Sequence, residues 1–382
     1  MRKPKVLCLL VAVVLLFCCT GCTPLANSAA TLSEVSSQLQ QQEAPAQEDQ
    51  SQDDVLLYED DVRGVWISYI ELQSMMQDHT QQDFAYYARV VLNTAKTQGI
   101  NTVFVQVRSH GDAIYPSAYY PWSKYVTGTA GQAADYDPLA ILIEQAHELG
   151  LSFHAWVNPY RLMSQSDFST VNDSYLTKQW LGDTRYMRYK ESDGYYYLDP
   201  NNEEVLELIC NGVAELVQNY DVDGIHFDDY FYNLTPEEYG YDAATAHAAT
   251  DRLVQRVYQT VKSINPAVQF GVSPGGNYYD APASDTTQYT NIVTWCTQPG
   301  YLDYIAPQIY WEFDHEQAPF LDVFNKWINL TADTGVKLYV GLATYKFATT
   351  ETLMIQQNLC VNHQGCGGFI HFRYENLCGS IR

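Results

Sequence analysis

Residues 222–230 read Val222-Asp223-Gly224-Ile225-His226-Phe227-Asp228-Asp229-Tyr230, a short β-type run that ends on two adjacent acids. Side chains two apart in a strand share a face, so His226 and Asp228 point one way and Ile225 and Phe227 the other. The same parity groups Gln106 with Arg108, His154 with Trp156 and Asn158, Gln308 with Tyr310, and His371 with Arg373. Eight β-rich runs can be counted, over 63–69, 102–108, 151–157, 224–227, 269–273, 302–309, 337–341 and 368–372. Amphipathic helical stretches over 83–98, 138–149, 202–220, 242–264, 320–334 and 352–363 lie between them. Alternation of this kind predicts parallel β/α units. The expected fold is therefore of α/β class, a (β/α)8 TIM barrel with long βα loops over residues 62–382. Active sites in such barrels sit at the C-terminal ends of the strands, and here five strands send polar side chains into one mouth. A doubly wound open sheet is the alternative, but Gly275-Gly276 lacks the rest of a phosphate-binding fingerprint. Only ten residues follow Phe372 in this sequence, which leaves little room for an eighth helix.

The composition sets the outer limits. With 46% hydrophobic and 17% charged residues over 382 positions, the chain can bury a sizeable core and is not disordered as a whole. It carries 21 Lys and Arg against 45 Asp and Glu, a net charge of −24, with no basic cluster. Phosphate binding needs a basic footprint, so a nucleic-acid partner is excluded. Thirty-one tyrosines are more than a core needs, because Tyr is half polar and favours wet clefts. That surplus suits a polar, ring-shaped ligand.

The N-terminus has the pattern of a lipoprotein signal peptide over 1–21. Arg2, Lys3 and Lys5 precede an apolar stretch over 6–17, and Cys19-Thr20-Gly21-Cys22 follows, with Cys22 the expected site of lipidation and membrane attachment. Loss of the three leader cations would take the charge from −24 to −27. Residues 22–61 read as a flexible, disordered tether: nine acids, many Gln, Ser and Ala, and no Lys or Arg. Five cysteines lie beyond it, at 210, 296, 360, 366 and 378, an odd number that leaves at least one free thiol. One disulfide could come from Cys360, Cys366 and Cys378, in a pairing the spacing leaves open. Beyond the leader and tether no Cys-x-x-Cys or paired His spacing suggests a metal site, and no cofactor is expected, so a chelator should leave activity unchanged. Asp137-Pro138 and Asp199-Pro200 each read as an N-cap before a first-turn Pro, and Thr235-Pro236-Glu237-Glu238 as a capping box.

Arg63-Gly64-Val65-Trp66-Ile67-Ser68, Gln106-Val107-Arg108, Gly111-Asp112-Ala113-Ile114-Tyr115-Pro116-Ser117, His154-Ala155-Trp156-Val157-Asn158-Pro159-Tyr160-Arg161, Asp223 to Tyr230, Phe270-Gly271-Val272-Ser273-Pro274, Pro307-Gln308-Ile309-Tyr310-Trp311 and Gly368-Phe369-Ile370-His371-Phe372 resemble, in order, motifs of the glycosyl hydrolase-like 10 family of bacterial envelope proteins. The resemblance implies a (β/α)8 barrel and hydrolysis of glycosidic bonds in a cell-wall glycan, most simply peptidoglycan strands. Segment 223–230 is also similar to the chitinase-type pattern, but that pattern's final acid falls on Tyr230. In the α-amylase-type pattern the nucleophile falls on Asp228, while His226 replaces the expected Arg and no acid follows the fifth strand.

Glycosidic cleavage needs one carboxylate and one protonated carboxyl, about 5–5.5 Å apart for retention or about 6.5–9.5 Å for inversion. Asp228 is the expected ionised partner, with Arg108 or Arg373 placed to pair with it. Glu312 ranks first as the acid, beside Tyr310 and Trp311, followed by Asp229 and Asp112. Arg108, Asp112, Trp66, His154, Trp156, Asn158, Tyr160, Arg161, His226, Gln308, Tyr310, Trp311, His371 and Arg373 are the candidate substrate-binding residues, and Tyr119, Tyr120 and Trp122 further stacking platforms. A non-catalytic glycan-binding barrel and an envelope scaffold for a protein partner are the competing functions.

Overall fold

A computed structural model of the protein describes residues 61–229, 231–278, 285, 287–347 and 351–381. The leader, Cys22, the tether up to residue 60 and Tyr230 lie outside the described residues. Among the described residues the main sheet is parallel and built from β1 (Val62–Ile67), β2 (Thr102–Arg108) and β3 (Ser152–Val157). An antiparallel trio follows, β4 (Arg161–Ser164), β5 (Met187–Lys190) and β6 (Tyr195–Leu198). The main sheet continues with β7 (Gly224–Phe227), β8 (Gln269–Val272), β9 (Tyr304–Ile305), β10 (Lys337–Leu338), β11 (Val340–Leu342) and β12 (Gly368–His371). Its order is β10-β9-β8-β7-β3-β2-β1-β12-β11. The two edges are halves of one strand interrupted at Tyr339, whose N–H reaches Ile305 at 2.9 Å while Gly341 N–H reaches Pro307 at 2.8 Å. The sheet therefore closes on itself as a (β/α)8-type barrel.

Closure works because small and large residues face each other inside. His154 is paired in register with Gly224, and Tyr304 with Gly271. A Cβ on Gly271 would sit 2.2 Å from the Tyr304 ring, and one on Gly224 2.3 Å from the His154 ring. Trp66, Phe104, Trp156, Tyr304, Ala306, Tyr339 and Ile370 form the apolar interior that these glycines accommodate. Gly271→Ala is accordingly expected to cost about 1–3 kcal/mol through overpacking, read as a lower urea midpoint at unchanged slope.

The helices form outside because their apolar faces match the outward residues of the strands. Asp137 caps the helix Pro138–Glu148 through Ala140 N–H, and Thr235 forms its capping box with Glu238. At Asp199 the expectation fails. The helix starts at Glu203 with Asn202 as its cap, accepting from Glu204 and Val205 N–H, and buried Asp199 instead accepts from Asn201 N–H. Among the described residues the five-residue helix Tyr374–Cys378 follows β12.

Candidate active site

The C-terminal ends of β1, β2, β3, β7, β8 and β12 surround a cavity of about 350 Å³. This lies at the small end of the range of ligand sites, about 300–1,000 Å³. Its wall includes Trp66, Trp156, Arg161, Asp228, Asp229, Gln308, Tyr310 and Arg373 from the sequence candidates. It also includes Ser68, Tyr69, Ile70, Gln106, Ser273, Tyr345 and Phe372.

Asp228 is buried and reached by neutral donors. The Trp156 indole N–H donates to its Oδ2 at 3.1 Å, and the Asn158 amide donates to the same oxygen. Asn158 is in turn fixed by the Gln106 amide at 2.6 Å, and Gln106 Oε1 accepts from Tyr69 N–H at 3.1 Å. Donors aimed at a carboxylate favour its charged form, so this frame suits an ionised Asp228. Asp229, the next residue, also lines the cavity. Burial pushes its carboxyl above the ordinary range, and a hydrogen bond from Gln308 opposes that only in part. Two adjacent acids thus meet different surroundings, the condition under which one carboxyl stays protonated while its neighbour ionises.

Beneath the acids a hydrogen-bonded chain runs down the barrel. Trp66 Nε1 donates to His226 Nε2 at 3.0 Å, His226 Nδ1 meets the Tyr304 hydroxyl at 3.0 Å, and that hydroxyl meets His154 Nδ1 at 3.0 Å. An indole N–H only donates, so His226 carries its proton on Nδ1 and gives it to Tyr304, whose own proton goes to His154. Burial holds His226 well below its ordinary pKa and lowers His154 to about 4. Both are neutral supports for Trp66 in the cavity floor. His154 itself faces a separate cavity of about 460 Å³ on the opposite side of the barrel, with Asp223 and Lys337.

The rim is aromatic and cationic. Tyr310 packs against Phe372 and Tyr345 at 5.8 and 6.1 Å between ring centres, and the Arg161 guanidinium lies 6.0 Å from the Tyr69 ring. Arg373 is ion-paired with Glu71 at 2.7 Å and Glu375 at 2.8 Å.

Several sequence candidates stand elsewhere. Arg108 faces the helices: a bulge between Gln106 and Arg108 shifts the register so that Arg108 pairs with outward-facing Val157. Its guanidinium stacks 4.2 Å over the Tyr120 ring, away from Asp228. His371 also points outward, bonded to Thr344 at 2.7 Å and Gln357 at 2.8 Å, because Ile370 fills the barrel interior instead. Glu312 is exposed in the loop after β9 and does not line the cavity. Asp112 closes its own loop by accepting from His110 N–H at 2.7 Å and Ser109 N–H at 3.2 Å. Tyr160, Tyr120 and Trp122 are buried in the outer core, and Tyr119 packs against it. Trp311 stands beside His315, 6.0 Å between rings, and is absent from the cavity wall. Ser68 and Ser273, which also line the cavity, each follow directly on a barrel strand, and Tyr69 comes one residue after Ser68. The strand-end rule applied to every strand would have found them.

The described residues bring no three His, Cys, Asp or Glu side chains together as a metal site. A closed parallel barrel with paired acids in an aromatic cavity at its C-terminal mouth defines the class, a glycoside-hydrolase-type (β/α)8 barrel. The sequence profile of the family described as "Glycosyl hydrolase-like 10" matches residues 61–250 and 244–358, and the chain belongs to that family. It is 39% identical over 278 residues to "Glycosyl hydrolase DigH" of Escherichia coli (strain K12), covering 65% of this chain and 63% of that protein. It is 34% identical over 321 residues to "Glycosyl hydrolase YngK" of Bacillus subtilis (strain 168), covering 75% and 61%. The matched region thus spans a little under two thirds of either relative. Among solved structures, the PgaB (BpsB) glycoside hydrolase domain from Bordetella bronchiseptica superposes with a TM-score of 0.54 at 11% identity, over 81% of this chain and 93% of that one. An endo-1,4-beta-mannanase from Rhizomucor miehei does so with 0.53 at 10% identity, over 82% and 86%. These two likenesses are of fold.

Proposed function

We propose that the protein is an exported, lipid-anchored glycoside hydrolase that cleaves glycosidic bonds in an envelope polysaccharide, most simply the glycan strands of peptidoglycan. The observation that carries this reading is the pair Asp228–Asp229 at one cavity wall, the first framed by N–H donors and the second raised by burial. Asp229 takes the acid role in place of Glu312, giving its proton to the glycosidic oxygen as the bond breaks. Asp228 supplies negative charge at the anomeric carbon, either by direct attack or by taking a proton from the attacking water. Tyr310 and Tyr69 offer ring faces on which sugars stack over the Trp66 floor, and Arg161 and Arg373 offer donors to hydroxyl or acetamido oxygens. The names of the two relatives support the reaction class.

A protonated acid gives activity that is full below its own pKa and falls as pH rises through it. Asp229→Asn is therefore expected to remove the alkaline limb of the kcat/KM profile and to lower turnover on glycan by about 10²-fold or more. Activity should be largely retained on an aryl glycoside whose leaving group needs no proton. An unchanged alkaline limb in that variant would assign the acid elsewhere.

Lipid attachment is tested separately. Cys22→Ala should move the protein from the membrane fraction to the soluble one with activity intact, whereas continued membrane association would make the apolar leader itself the anchor.

A further inference from the structure

Two of the five described cysteines meet. Cys360 lies in the last turn of the helix Glu351–Asn362, and Cys366 stands two residues before β12. Their side chains are in contact, and they are 0% and 5% exposed. Both are free thiols in this structure, and the Cys366 thiol also lies 3.3 Å from Gly368 O and 3.7 Å from Leu338 O, carbonyls of β12 and β10, so that it sits between those strands and Cys360 of the helix. The other three are placed differently. Cys210 bonds to the Thr260 hydroxyl, Cys296 is buried within the helix Ile292–Thr297, and Cys378 sits in the short helix Tyr374–Cys378 beside Tyr374. Of the pairings that spacing alone left open among Cys360, Cys366 and Cys378, the structure brings one into reach.

We propose that Cys360 and Cys366 are a disulfide site, joined in the exported protein and tying the helix Glu351–Asn362 to the strand that delivers Phe372 and Arg373 to the cavity. The inference rests on the export proposed above and is independent of the hydrolase assignment. In the step, one thiolate attacks the disulfide of an extracytoplasmic thiol oxidoreductase and forms a mixed disulfide. The second thiolate then displaces the oxidoreductase's sulfur. The chain loses two protons and two electrons, one S–S bond forms, and the oxidoreductase leaves as its dithiol. Thiolate is the reactive form, and burial pushes the folded Cys360 thiol well above its ordinary range. The bond therefore closes while the chain folds, before the turn is packed, and once closed it is shielded from reductant. Gly367 and Gly368 then carry the chain into β12, with Gly368 at a φ of +131° packed against the Val62 backbone.

The test is mass spectrometry of the full-length protein taken from fractionated cells, alkylated in denaturant without reductant. In the envelope fraction, the expected result is a peptide pair joined through Cys360 and Cys366, about 2 Da lighter than the two thiols. Cys210, Cys296 and Cys378 should be alkylated. Reductant in denaturant should release both, and Cys360→Ala should leave Cys366 alkylated and lower Tm by on the order of 5 °C. Free Cys360 and Cys366 in envelope-located protein would overturn the proposal, as would a bridge to Cys378. Free thiols in protein that never leaves the cytoplasm would overturn it together with the export it rests on.

Discussion

Asp228→Asn is expected to reduce turnover on glycan strands by about 10²-fold or more while the folded protein keeps its Tm to within a few degrees. The reasoning starts from volume: Asn fills the same space, so the buried pocket neither collapses nor opens. An amide oxygen can still accept from the Trp156 indole and the Asn158 amide, which now donate to Asp228 Oδ2. What disappears is the negative charge, and with it both the nucleophile and the electrostatic partner of the oxocarbenium-like transition state. Binding through Tyr310 and Tyr69 does not need that charge, so KM should move far less than kcat. A folded variant with near-normal turnover would remove Asp228 from the chemistry. A variant that fails to fold would show that its charge serves the frame of Trp156 and Asn158 instead.

The second large effect concerns acidity and stability. His110, His154, His226 and His371 are buried, and all four are lowered, His154 and His371 to about 4. Burial is the leading cause in each, with the cations Arg161 and Lys124 adding to it at His110. In the unfolded chain they titrate near 6.5. Below that pH the unfolded state binds protons that the native state refuses, so unfolding gains as pH falls. The contribution is fully present above about pH 6.5 and is lost progressively on the way down to about pH 4. Each histidine adds a slope of about 1.4 kcal/mol per pH unit once well inside that window. Asp199, Asp229 and Asp251, raised by burial, act in the opposite sense and offset part of it. A urea midpoint that drops steeply from pH 7 to pH 5, with the four imidazoles still neutral by NMR at pH 5.5, is the expected result. A flat midpoint across that range would show that the imidazoles are not shielded as described.

The barrel and much of its mouth were legible because β parity is a strong signal wherever a strand is regular. It pointed Trp156, Asn158, His226, Asp228 and Gln308 toward one mouth. At Arg108 it failed for a physical reason that the letters do not carry: one bulged residue after Gln106 rotates the next side chain to the other face. At His371 it failed because β12 has large apolar side chains on both faces, and packing volume in the barrel, not polarity, sets which face turns in. Glu312 is close to Tyr310 and Trp311 in sequence, yet the chain turns outward between Tyr310 and Glu312. The antiparallel trio over Arg161–Leu198 leaves a fainter trace, Asp193-Gly194 as a turn signal between two Tyr-containing runs, and Gly194 adopts a φ of +80° there.

The most direct test of the Asp228–Asp229 assignment is product analysis on purified peptidoglycan glycan strands free of peptides. The wild-type protein is expected to release soluble saccharides with a new reducing end, each cleavage adding one water to the product mass. Neither Asp228→Asn nor Asp229→Asn should release them at a comparable rate, and the anomeric configuration of the first product should report whether water or Asp228 attacks. Tight binding of the strands with no soluble product from the wild-type protein would contradict hydrolysis at this site, and so would release that both variants retain.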